Sequence, residues 1–143
     1  MNGTRWIGNA ACIWAVLFAA PHVWWLLGVR TGFPGGDPSY EFFMSSDWRV
    51  AFDVLVVVLC VAMVLITRAL MGAMIPSRRR TLSTLAWFGS GLLTLRGVTG
   101  AIADGRSDPV WWPTFLVGGI LLGAVAWFGR RQLGASDQRP QKQ

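Results

Sequence analysis

The sequence predicts an all-α fold, an integral membrane four-helix bundle with both termini cytoplasmic, and three observations carry that expectation. Of 143 residues, 53% are hydrophobic and only 14% charged, whereas soluble domains average about 25% charged. Four stretches are long and nearly free of charge, each close to the roughly 20 residues with which a helix crosses about 30 Å of hydrocarbon. Lys and Arg collect on one side of those stretches, as short cytoplasmic loops require. Nine Trp and eight Phe against one Tyr suit apolar surroundings, and 17 Gly without a collagen period suit close helix contacts in lipid.

The first span is expected at 7–29, because no formal charge falls between Arg5 and Arg30. A secretory signal is the competing reading, with Arg5 as its charged region and Phe18-Ala19-Ala20 as its small-residue end. The apolar run exceeds a signal core, and Pro21 directly follows the small residues, so the span is read as retained. An external loop at 30–47 follows, with Gly32 to Pro38 a dense run of turn residues expected to be irregular. Tyr40-Glu41-Phe42-Phe43-Met44 is amphipathic enough to form a short cap across the outer helix ends. The second span, 48–71, carries Arg49 and Asp53 in its first two turns and Arg68 at its end. A cytoplasmic loop at 72–80 ends in Arg78-Arg79-Arg80, and the third span, 81–103, is interrupted by Arg96. The fourth, 110–129, lies between Asp108 and Arg130 and opens on Trp111-Trp112-Pro113, with Asp108 in reach to cap it. These form one transmembrane domain, 1–133, and the polar tail 134–143 is expected to be disordered.

Arg5, Arg68, Arg78, Arg79, Arg80, Arg130, Arg131, Arg139 and Lys142 fall on the side of the termini, while Arg30, Arg49 and Arg106 face the other way. The net charge of +6 therefore reads as a topology signal, and no nucleic-acid partner is inferred. Ala15-x-x-x-Ala19, Gly97-x-x-x-Ala101 and Gly119-x-x-x-Gly123 place small residues one turn apart, so backbones can approach within one chain or between copies. Trp6, Trp24, Trp25, Trp48, Trp111 and Trp112 fall near span ends, where indoles suit the headgroup level. The two helix pairs share no register of matching residues, which gives an inverted-repeat transporter little support.

An Arg inside a membrane costs from about 2.5 to more than 10 kcal/mol, so it needs a partner or a wet cavity. At 1.5 Å per residue, Arg96 lies about 10 Å, Asp53 about 7.5 Å and His22 about 9 Å from the outer ends of their spans. Three helices thus bring one ionisable group each to one outer-leaflet layer, which permits an Arg96–Asp53 ion pair beside His22, with Arg49 one turn away as a competitor. Either the pair only sets helix register, with His22 satisfied by a carbonyl or Thr99, or the layer lines an outward pocket. In the second case Arg96 meets an anionic head group, His22 exchanges a proton, Asp104, Asp108 and Trp111 stand at the rim, and Trp25 is a further candidate for contact with the ligand. Cys12 and Cys60 lie alone on separate spans and His22 is the only histidine, so no metal, haem or disulfide spacing exists and no cofactor is expected. Gly-rich phosphate loops, nucleophile elbows and HExxH patterns are absent as well.

His22-Val-Trp24-Trp25-Leu-Leu-Gly28 at the end of the first span, Leu95-Arg96-Gly97 in the third, and Asp108-Pro109 before the Gly118-Gly119 helix resemble a family of small bacterial four-span membrane proteins, domain of unknown function 3995. The resemblance extends over nearly the whole chain apart from the tail. It implies four helices and a multi-pass place in the bacterial inner (plasma) membrane, but no activity; the Asp53 pairing is no part of it. The leading expectation is a non-enzymatic accessory subunit, or a binder of a small anionic or amphipathic molecule at His22, Asp53 and Arg96. Its partners would be membrane lipids, and a membrane-protein partner or a second copy. The alternative is a membrane-embedded enzyme acting on a lipid or isoprenoid, with His22 or Asp53 as acid or base and Arg96 stabilising negative charge.

Overall fold

The computed structural model describes residues 2–34, 36–72, 76–104 and 111–137. They form five α-helices: α1 (Asn2–Leu26), α2 (Gly36–Met44), α3 (Asp47–Met71), α4 (Pro76–Asp104) and α5 (Trp111–Asp137). The architecture is an all-α bundle of four long helices and one short one.

Where the helices stop follows from local chemistry more than from the charge-free runs. α1 continues through Pro21, although that ring offers no N–H to the carbonyl one turn back. It ends at Leu26 and not at 29, because Gly28 takes φ +92°. The Val29 N–H donates to the Trp24 carbonyl at 3.2 Å and the Gly28 N–H to that of Trp25 at 3.0 Å, the paired bonds with which a left-handed glycine closes a helix. The expected run of turn residues is cut short by α2, which begins at Gly36, so Asp37 and Pro38 occupy a first turn that suits both. The amphipathic segment 40–44 forms the body of α2, and it packs against α3. Pro76 opens α4, which places Arg78, Arg79 and Arg80 on its first turns and not in a loop. α5 runs through Asp137, past the expected boundary at 129 and into a segment expected to be disordered. Asp108, the expected cap of α5, lies outside the described residues.

Two antiparallel pairs build the bundle. α1 packs mainly on α3, and α4 lies along α5, with Ser83, Ser90 and Gly97 opposite Ala126, Gly119 and Leu116. The pairs meet through α1–α5, α3–α5 and α3–α4 contacts, while the backbones of α1 and α4 are not direct neighbours among the described residues. Gly8 approaches Met71, and Gly129 approaches Leu70, so the beginning of α1 and the end of α5 share one end of the bundle.

Small residues set the α4–α5 distance. A Cβ on Gly119 would stand 2.4 Å from Thr94 Oγ1, and one on Gly97 would stand 2.7 Å from Leu116. Both stripes expected there thus face a helix of the same chain. Ser90 donates to the Gly119 carbonyl at 2.7 Å and Ser83 to that of Ala126 at 3.1 Å, both buried, a form of interhelical bond suited to an apolar setting. The interior holds Ala11, Ala15, Phe18, Met63, Leu70, Val125 and Ala126 together with buried Asp53, Thr67, Ser83 and Ser90. The outside is strongly apolar: Leu17, Leu59, Leu65, Phe88, Leu95 and Ile120 are each about 60% exposed or more. Such a surface exceeds what a soluble monomer presents.

Three helical segments are long and apolar enough to cross a membrane: Arg5–Leu26, Asp47–Met71 and Trp112–Arg131. α4, with 29 residues, is long enough too, but its three N-terminal arginines, its Ser and Thr residues and Arg96 leave it less apolar than the others.

Candidate functional site

One face of α1 presents Trp14, Phe18, His22 and Trp25, spacings of four, four and three residues that stack side chains on one helix face. Trp14 and Phe18 lie parallel at 5.1 Å, Phe18 tilts against His22 at 5.1 Å, and Trp25 meets His22 edge-on at 5.4 Å. The column continues outside α1, because Trp25 packs edge-on against Phe33 at 5.0 Å, and Phe33 against Tyr40 and Phe43. Tyr40 is buried and donates its hydroxyl to the Trp25 carbonyl at 3.0 Å. That bond fastens α2 over the end of α1.

Asp53 enters this column from α3. Its Oδ1 lies 2.5 Å from His22 Nδ1, so the imidazole donates to the carboxylate when Nδ1 carries the proton. Asp53 is only 6% exposed, and its Oδ2 has no hydrogen-bond partner among the described residues. A buried acceptor without a partner costs about 1–3 kcal/mol, and more when charged. The arrangement is therefore a carboxylate with one oxygen engaged and the other buried without a partner among the described residues, walled by rings.

Arg96 does not pair with Asp53, which corrects the ion pair expected from depth alone. The bundle explains the difference: Asp53 sits on α3, whose main neighbour is α1, while Arg96 sits on α4, whose main neighbour is α5. The Arg96 guanidinium lies over the Phe115 ring at 5.2 Å. Its Nη1 stands 3.0 Å from where a Gly100 Cβ would be, one turn further along α4. Arg96 thus extends toward the C-terminal end of α4, with its charge beyond the level of its own Cα. Phe115 meets Phe18 edge-on at 5.3 Å, so Arg96, Phe115, Phe18, His22 and Asp53 form one continuous layer with rings between the cation and the carboxylate. The shared layer expected for the three groups is present, with a different pairing.

Arg49 does not compete for Asp53 either. It donates to the Phe42 carbonyl at 2.6 Å and stacks on the Phe42 ring at 3.7 Å, closing the C-terminus of α2. Arg30 pairs with Glu41 at 3.1 Å on the exposed surface, a contact worth at most about 1 kcal/mol. Of the remaining candidates, Trp25 is buried inside the column. Asp104 closes α4 and Trp111 opens α5, and the side chains of both lie outside the described residues. The aromatic lid of Phe33, Tyr40 and Phe43 was not among the expected site residues; the amphipathic reading of 40–44 was the available signal.

Comparison with protein-family models, with curated proteins and with solved structures finds no match to this chain.

Proposed function

We propose that this chain is a small multi-pass protein of a bacterial inner membrane, crossing it four times with both termini cytoplasmic. It acts as a non-enzymatic binder or accessory subunit. Three apolar helices, an apolar exterior over a core with polar groups, and both ends of the described chain at the arginine-rich end support this reading. α4 crosses as the fourth span through its long contact with α5, with Arg96 extended toward the outer interface. The resemblance to the four-span family points the same way.

The ligand is a small amphipathic molecule. Its head group brings a hydrogen-bond donor to Asp53 Oδ2, its apolar part lies against the rings of the column, and Arg96 meets any anionic group it carries. The observation that carries this is the buried, half-engaged carboxylate inside an aromatic wall. A second reading, an enzyme acting on a lipid or isoprenoid, is favoured by one feature: the 2.5 Å His22–Asp53 contact would orient an imidazole for proton transfer.

The test is mass spectrometry of molecules copurifying with wild type and with Asp53→Asn. Loss of a specific molecule from a variant that keeps its helical circular dichroism supports binding. Unchanged copurifying molecules, with stability lost in Asp53→Leu and restored in His22→Leu/Asp53→Leu, would reduce the pair to a fastener between helices. Turnover of a bound lipid that stops in His22→Gln would favour the enzyme.

A further inference from the structure

At the opposite end from the aromatic column, α1 and α3 leave a cleft of about 390 Å³ between Arg5, Gly8 and Asn9 on one side and Thr67, Arg68 and Met71 on the other. We propose that this cleft binds the phosphate head group of an anionic phospholipid of the cytoplasmic leaflet. The inference rests on the membrane-spanning reading above.

Three observations carry it. The two arginines converge on one opening from different helices, and among the described residues neither makes an ion pair or a side-chain hydrogen bond. The nearby Arg79 is differently engaged, donating to the Leu70 and Gly72 carbonyls at the end of α3. Acids are remote: apart from Asp137 at the end of α5, all Asp and Glu residues belong by sequence to the other end. The third observation is Thr67, fully buried in the cleft wall, whose hydroxyl has no hydrogen-bond partner among the described residues.

Guanidinium groups match phosphate oxygens in charge and in planar geometry. Asn9 and Thr67 add neutral groups for ester or glycerol oxygens. Clefts of roughly 300–1,000 Å³ hold drug-sized ligands, so the volume suits a glycerophosphate head group better than a free phosphate ion. At Gly8 the two helices approach closely, since a Cβ there would stand 2.8 Å from Met71 Cγ. The apolar flanks of α1 and α3 run away from this point and would receive the acyl chains.

The experiment is native mass spectrometry of the full chain in detergent, titrated with phosphatidylglycerol, phosphatidylcholine or inorganic phosphate. Phosphatidylglycerol is expected to bind in preference to phosphatidylcholine. In Arg5→Gln/Arg68→Gln that preference should fall about 30-fold, each guanidinium being worth a factor of about five near an anionic lipid surface. Arg78→Gln/Arg80→Gln, with the same change in charge on the same side, should keep it. Thr67→Val keeps every charge and should weaken binding several-fold, which tests the cleft should the double variant fail to fold. Equal losses in both arginine pairs would overturn the site in favour of general charge attraction. Inorganic phosphate binding as tightly as the lipid would overturn the head-group assignment. Alkaline extraction separates the premises: release from membranes refutes the spanning reading, whereas retention without lipid preference refutes only this inference.

Discussion

Asp53 and His22 hold each other in the interior, and the two are unequal in what they leave behind when removed. His22→Leu strands a carboxylate that is 6% exposed, and removing one partner of a buried pair costs about 3–5 kcal/mol. His22→Leu/Asp53→Leu leaves no charge behind, so its thermal midpoint in detergent should lie well above that of the single variant. The sequence showed that both residues sit at one depth, but not that they meet, since side-chain pairing depends on how each helix is rotated. Gly118 makes the same point. A Cβ there would stand 2.3 Å from the Trp14 indole, so Gly118→Ala should destabilise by about 1–3 kcal/mol through overpacking. Trp14→Leu should recover much of that loss in the double variant. No local signal couples these positions, because they touch only after α1 and α5 pack.

At the scale of elements, α4 and α5 are joined by glycines and serine-to-carbonyl bonds more than by large side chains. Ser90→Ala should cost about 0.6 kcal/mol, the usual size of an interhelical hydrogen bond in a membrane. Ser90→Leu should cost much more, because its side chain would fall between backbones already in contact; thermal unfolding of the pair distinguishes them. The end of α3 depends on another helix, through the two carbonyls that accept from Arg79. Arg79→Gln should therefore speed amide hydrogen exchange in the last turn of α3 while leaving its middle unchanged. The small-residue stripes were legible as contact faces, and the structure supplied their partners. The helix ends were read less well: Gly28 and Gly36 act through positive φ angles, while the helical start of α4 at Pro76 replaces an expected loop.

For the whole molecule, the two antiparallel pairs bring Arg5, Arg68, Arg79 and Arg130 to one end and the aromatic column to the other. In the proposed orientation, reporters fused at either terminus should be active only on the cytoplasmic side. Cysteines introduced at Asp37 or Glu41, both exposed in the outer lid, should label from outside in intact cells. Arg78→Gln/Arg79→Gln/Arg80→Gln should give mixed labelling, because the positive bias in the central connection would be lost. The lid also ties the ends together: Tyr40→Phe removes the hydroxyl donated to Trp25. It should loosen α2 in hydrogen exchange at a cost near 1 kcal/mol.

The sequence by itself determined the four long helices, their order and the end at which the arginines gather. These depend on the length of apolar runs and on the count of charges, both one-dimensional quantities. It also placed His22, Asp53 and Arg96 in one layer, since depth along a helix is residue number times rise. Only the tertiary structure decided that Asp53 meets His22 while Arg96 lies over Phe115 and extends past Gly100. Depth constrains one coordinate of a side chain. The other two, helix rotation and neighbour, are set by the close packing of small residues across the bundle, which residue spacing along a single chain does not encode.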